Sequence, residues 1–429
     1  MNSPLHVEVV QKRQSRSSKD FIKGIVHSYL SSFACLTPGA IITANDLEEN
    51  LELREHVQSI AFCDLDHDSE IQMTSTELVY HVYKLDNFGA ETDTMTDTAS
   101  GDELAAADVW ALPSEEFHGL WESLVYDSKL KEDTLRFAET AFEFADRGVD
   151  STVVGCNRVL LLHGPPGTGK TSLCRALAQK LAIRLGDRFP RARLLEINAH
   201  GLFSKWFSES GKLVARLFDR VRDIVEDRRL LACVLVDEVE SLAHARRAAL
   251  AGLEPSDSIR AVNAILTQLD RLRRHPNALV LATSNVTGAI DAAFIDRADV
   301  KRRVGPPSAR AAYEILRGCC GELMARAVVA PREQLFALRV LEGSRFAESE
   351  TSRVSLRLWA VAREAGAAAA SARALRRLPL LARALHTRAP PAPAPTLPRF
   401  VEALHAALRQ HLRDAADLDD EPPPAALET

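Results

Sequence analysis

The sequence predicts an α/β chain. It has a three-layer αβα core on a mainly parallel sheet, a small helical lid after it, and an α+β domain before it. Three observations predict this. Short apolar runs, Val159–Leu162, Leu194–Ile197, Cys233–Val236 and Ala278–Ala282, alternate with stretches of helical spacing. The first run ends in G-P-P-G-T-G-K-T, Gly164–Thr171, and the helical pattern Ser172–Leu185 follows at once. Pro306–Pro307 then breaks the chain, and Ala309 to about Leu385 reads as helix.

In chain order, His6–Val10 alternates like a strand, Phe21–Leu30 has helical spacing, and Glu77–Tyr83 is strand-like. Asp64, Asp66 and Asp68 alternate as in a calcium loop. That reading fails, because Ser69 stands where the turn needs Gly and Ser75 where a bidentate Glu belongs. From Asp86 to Asp127 there are many acids and no Lys or Arg. Gly89–Asp102 is polar and unpatterned, and reads as a flexible acidic linker. Ordered sequence resumes at Trp110, with a helix start expected after Pro113. The expected division is residues 1–100 as a recognition domain with its linker, 101–305 as the large domain, and 306–429 as the lid and tail. Within the last part, Pro390–Pro398 is a polyproline-like break, Phe400–Leu412 is one more amphipathic helix, and the end is expected to be disordered.

Composition narrows the class. The chain has 429 residues, 46% of them hydrophobic and 26% charged, which fits a globular protein. A net charge of -6 leaves no global basic footprint for nucleic acid. No apolar run is long enough for a membrane span, and the first residues lack the apolar core of a signal peptide. Seven scattered cysteines without a C-x-x-C pair suit a reducing compartment, nucleus or cytoplasm. Cys174 and Cys233 fall on apolar faces and read as core residues.

The chemistry starts at the phosphate-binding loop: Gly164, Pro165, Pro166, Gly167, Thr168, Gly169, Lys170, Thr171 and, opening the helix, Ser172. Glycines allow a tight turn that points amide N–H groups at a phosphate. Lys170 reaches the β- and γ-phosphates, and the Thr171 hydroxyl can ligate Mg²⁺. ATP and Mg²⁺ are the expected cofactors. Ala232–Glu238, A-C-V-L-V-D-E, is an apolar strand ending in two acids. Asp237 is placed to hold Mg²⁺ through water, and Glu238 to polarise the attacking water. The strand Leu279–Asn285 ends in a polar residue. In such folds it lies between the loop strand and the acid strand, so Asn285 can reach the γ-phosphate or the water.

With these three signals the chain resembles the AAA+ ATPases. The resemblance implies a ring in which a neighbouring subunit supplies an arginine finger, and Arg297 in D-A-A-F-I-D-R-A-D is the matching arginine. It also implies a sensor arginine in the lid. Arg373 in A-S-A-R-A-L-R-R-L-P matches it, although Ala stands where two glycines are usual. Leu202–Lys212, L-F-S-K-W-F-S-E-S-G-K, lies where such rings carry a substrate pore loop, with Lys205, Trp206 and Phe207 as the gripping residues. That stretch, together with E-P-S-D-S-I-R-A-V-N and S-E-E-F-H-G-L-W-E-S-L-V-Y-D, is similar to the pachytene checkpoint protein 2, or thyroid receptor-interacting protein 13, family. The similarity implies a homohexamer that opens closed HORMA-domain proteins, working with an adaptor protein. Its setting would be meiotic chromosome axes and the spindle assembly checkpoint, in nucleus and cytoplasm, at chromosomes and kinetochores. No direct nucleic acid and no membrane are expected as partners. A DNA-directed ATPase of the clamp-loader or helicase type is the alternative; net acidity and the aromatic pore loop argue against it. The absence of H-E-x-x-H excludes an AAA protease.

Overall fold

In a computed structural model the structure describes residues 4–33, 35–36, 41–43, 46–47, 50–63, 71–72, 77–96, 103–198, 210–242, 257–286, 290–387 and 393–420. The chain divides into two compact units. One holds 1–121, 131–163 and 171–302; the other holds 122–130, 164–170 and 303–429.

The first unit contains two larger sheets and one two-stranded pair. In the amino-terminal sheet the strands are β1 (Leu5–Gln11), β3 (Ile41–Thr43), β4 (Val57–Cys63) and β6 (Leu78–Tyr83), in the order β3-β4-β1-β6. The short strands β2 (Cys35–Leu36) and β5 (Ile71–Gln72) pair separately. Helices α1 (Lys19–Leu30) and α2 (Leu51–His56) complete this α+β part. Ile22, Val26 and Leu30 recur along one face of α1 and are fully buried with Val7, Val9 and Ile60. Ser18 caps the helix by accepting from the Phe21 N–H.

The second sheet has seven strands in the order β13-β9-β12-β11-β10-β8-β7. They are β7 (Ala90–Thr96), β8 (Glu103–Leu112), β9 (Val159–His163), β10 (Arg191–Asn198), β11 (Leu230–Asp237), β12 (Ala278–Ser284) and β13 (Val300–Arg303). β9, β12, β11 and β10 pair in parallel, as the alternation of apolar runs and helices predicts. The helices of this part are α3 (Leu120–Ser123), α4 (Leu130–Asp146), α5 (Lys170–Arg184), α6 (Ser210–Glu226), α7 (Asp257–Leu272) and α8 (Ala292–Arg297). α6 and α7 pack a wide apolar stripe, Leu217, Val221, Val225, Val262, Ile265 and Leu269, onto the central strands.

Two expectations are corrected here. Ala90–Thr96 is not linker: it pairs antiparallel with β8, which itself pairs antiparallel with β10. β8 itself starts at Glu103, ahead of the Trp110 expected from the sequence. An edge strand half in solvent tolerates the polar E-T-D-T, so composition alone misleads. The helix expected after Pro113 starts only at Leu120. Ser114 is tied instead to Gln179, its N–H donating to Oε1 and its carbonyl accepting from Nε2, both at 2.8 Å. The Asp64–Asp68 loop lies outside the described residues.

The second unit is helical: α9 (Ala309–Ala325), α10 (Leu338–Gly343), α11 (Arg353–Ala367), α12 (Ala372–Leu385) and α13 (Leu397–Asp420). Its core joins Tyr313, Leu316, Leu358, Leu375, Phe400 and Leu404, all fully buried. α13 is longer than Phe400–Leu412, beginning at Leu397 with Pro398 in its first turn, where a missing N–H costs nothing.

Candidate functional site

The loop 164–170 turns through three left-handed glycines. Gly164 has φ 144°, and a Cβ there would stand 2.2 Å from the Val304 carbonyl oxygen. Gly167 has φ 75°, with Ser371 Oγ 2.9 Å from the same imagined atom. At Gly164 a side chain would run into backbone, and at Gly167 it would press on Ser371 in a conformation that favours glycine. The Lys170 ammonium is buried and donates to the Gly164 and Pro165 carbonyls at 2.9 and 2.8 Å. Thr168 Oγ1 donates to the same Pro165 carbonyl at 3.0 Å. Pro165 and Pro166 stiffen the turn, and Tyr126 closes it by donating from its hydroxyl to the Gly169 carbonyl at 3.1 Å. A buried ammonium and a run of turning amides form a cradle whose chemistry fits phosphate.

Arg373 approaches this loop through its backbone: its N–H donates to the Gly167 carbonyl at 3.0 Å. Its side chain is exposed, and among the described residues its guanidinium has no partner. Ala369, at the first position where relatives carry glycine, has φ 50°. The left-handed turn is retained although the glycine is not.

The acid side lies on the carboxyl ends of β11 and β12. β12 stands between β9 and β11, as the order of motifs predicts. Thr171 Oγ1 donates to Asp237, 3.0 Å from Oδ1 and 3.3 Å from Oδ2. A hydroxyl and a carboxylate converging on one point suit a hard cation that takes few protein ligands, as Mg²⁺ does. Glu238 has φ 59°, a left-handed conformation rare for a residue with a side chain. Asn285 Nδ2 donates to Glu238 Oε1 at 3.5 Å, and its backbone N–H donates to Glu240 Oε1 at 3.1 Å. The carbonyl of Glu238 accepts from the Ser241 hydroxyl. Next to this group, burial first, and then the nearby Asp237 and Glu196 carboxylates, push the Cys174 thiol well up, so it stays a neutral core residue.

Arg297 ends α8. It forms a two-pronged pair with Asp270 of α7, Nε to Oδ1 at 2.9 Å and Nη2 to Oδ2 at 2.8 Å. That hydrogen-bonded partner raises the guanidinium pKa. Nη1 donates to the Ala293 carbonyl at 2.7 Å. Lys205, Trp206 and Phe207 lie outside the described residues.

Sequence reading missed four residues of this neighbourhood. Thr283 donates to Asp237 Oδ1, Glu240 holds the Asn285 backbone, Asp270 engages Arg297, and Tyr126 closes the glycine turn. Only Thr283 carried a signal: it is a polar residue inside a strand that is otherwise apolar up to Ala282.

Three family models match successive stretches of the chain. Residues 1–87 match the TRIP13 N-terminal domain, 160–306 the ATPase family associated with various cellular activities, and 308–412 the TRIP13-like AAA+ ATPase lid C-terminal domain. The chain is 44% identical to the pachytene checkpoint protein 2 homolog of Mus musculus over 418 residues, covering 96% of this chain and 94% of that protein. It is 43% identical to the Danio rerio homolog over 414 residues, covering 96% and 95%. The solved structure of C. elegans PCH-2 is similar with a TM-score of 0.77 and 32% identity, covering 96% of this chain and all of that one.

Proposed function

Because this chain belongs to the pachytene checkpoint protein 2, or TRIP13, family of AAA ATPases, we propose that it uses ATP hydrolysis to open HORMA-domain proteins. It acts as a homohexamer, takes its clients with an adaptor protein, and works in nucleus and cytoplasm on meiotic chromosome axes and in the spindle assembly checkpoint. The observation that carries the hydrolytic part is the Thr171–Asp237–Glu238–Asn285 group, assembled around one point at the strand ends. The family relation supports the choice of client.

The division of labour follows from the side chains. The loop amides and Lys170 bind the β- and γ-phosphates. Thr171 and Asp237 would hold Mg²⁺, which when bound neutralises charge on the phosphates and orients them for in-line attack. Glu238 accepts the proton of the water whose oxygen attacks the γ-phosphorus, and Asn285 fixes the direction of that carboxylate. Arg297 works in trans on the neighbouring subunit's nucleotide, exchanging Asp270 for the phosphate. Arg373 lets the lid follow nucleotide state. Trp206 and Phe207, with Lys205, grip the client chain.

The test is ATP turnover with and without a purified HORMA-domain protein and its adaptor, read together with conversion of the closed form to the open form. Turnover is expected to rise with the client. Changing Trp206→Ala and Phe207→Ala together is expected to abolish conversion while basal turnover survives, since each aromatic removes about 150–250 Å² of gripping surface. Full conversion by the double variant, or equal stimulation by DNA, would overturn the reading.

A further inference from the structure

We propose that Thr283 is the positioning residue that holds both acids of the hydrolytic site. The inference rests on the assignment of Asp237 and Glu238 given above. The parallel ladder between β11 and β12 runs in register from Ala232↔Ala278 to Val236↔Ala282 and stops there. Two residues further the chain turns left-handed at Glu238, φ 59°, so the backbone of residue 238 cannot continue the ladder. Thr283 replaces the lost pairing with its side chain. Its hydroxyl donates its one proton to Asp237 Oδ1. The same oxygen accepts from the Glu238 N–H at 3.4 Å. Its backbone carbonyl accepts from the Val239 N–H at 2.9 Å. Three consecutive residues, the two acids and the valine after them, are tied to a single threonine that is 1% exposed.

The hydroxyl has a defined task. A left-handed glutamate is strained and persists only where its surroundings over-determine it. The Glu238 N–H is one of the bonds that does so, and the turn aims the carboxylate at Asn285. Without the hydroxyl that N–H loses its acceptor and Asp237 loses a donor. The turn then relaxes toward ordinary backbone and Glu238 swings out of line. The phosphate cradle, built from the loop and Lys170, is untouched. Thr283 therefore acts mainly on the chemical step, with a smaller effect on nucleotide binding through Asp237.

Thr283→Val keeps shape and strand preference and removes only the hydroxyl; Thr283→Ala removes it without crowding, should the first variant fold poorly; Thr283→Ser returns it. Turnover, nucleotide affinity and amide hydrogen exchange at Glu238 are measured in the full chain beside Glu238→Gln. Thr283→Val and Thr283→Ala are expected to lower kcat at least about tenfold with KM for ATP within about threefold, as for loss of an interaction made only in the transition state. Both are expected to lose protection of the Glu238 amide. Thr283→Ser is expected to restore rate and protection. Wild-type turnover in the Val and Ala variants, a Ser variant as slow as they are, or unchanged amide protection would each overturn the inference. Full activity in Glu238→Gln would instead remove the reading of the acid pair on which it rests.

Discussion

Replacing Ala369 by glycine should stabilise the lid. α11 ends at Ala367, and Ala368 is its cap. The Ala370 N–H donates to the Ala365 carbonyl at 3.0 Å and the Ala369 N–H to the Gly366 carbonyl at 3.1 Å. This double bond pattern requires a left-handed residue at 369, normally glycine. Alanine at φ 50° costs about 1–2 kcal/mol relative to a right-handed position. Glycine removes that strain but loses about 0.4–1 kcal/mol through the freer unfolded chain. The net gain is about 0.5–1 kcal/mol. Ala369 is exposed, so no packing is lost. Ala327, φ 55°, sits at the same place after α9, with the same pair of bonds, and should respond alike. Ala368 is the control, since its φ of -83° suits alanine. Ala368→Gly should therefore destabilise by about 0.4–1 kcal/mol. Calorimetry of the lid transition reads the difference. Ala369→Gly and Ala327→Gly should each raise its midpoint by about 2–4 °C, and together by about twice that, while Ala368→Gly should lower it. Equal destabilisation by glycine at 368 and 369 would refute the argument, because then backbone freedom rather than handedness decides.

Three further predictions concern the first unit. Mixing Arg297→Ala subunits with Glu238→Gln subunits should restore part of the turnover that each variant lacks alone; if verified mixed rings stay inactive, Arg297 acts within its own subunit. Asp270→Asn, which weakens an ion pair whose side chains are only 28% and 42% exposed, should alter turnover without lowering ATP affinity. Glu8 of β1 pairs with Lys180 of α5 at 2.7 Å, with Arg184 Nε at 3.4 Å, and all three side chains are at most 5% exposed. Glu8→Gln breaks this buried ion pair and should cost about 3–5 kcal/mol in urea unfolding, much of it recovered by adding Lys180→Met. A single-variant loss below about 1 kcal/mol would show that the pair does not anchor the amino-terminal sheet.

The sequence by itself determined the phosphate loop, the acid strand, the strand that ends in Asn285 and the helical lid. Each of these is local: its chemistry and its period lie within about ten consecutive residues, so strand, turn and helix are written where the function is. It also placed the Asn285 strand between the loop strand and the acid strand, as in such folds. Tertiary structure decided the rest. The edge strand β7 looks like linker because a strand at the edge of a sheet need not be apolar. The handedness of Glu238 and Ala369 follows from what surrounds them, and no residue type announces it. Thr283 meets Asp237 from 46 residues away, Arg297 meets Asp270 across 27, and Lys180 lies far along the chain from Glu8. Such pairings depend on which elements fold side by side, and only packing settles that.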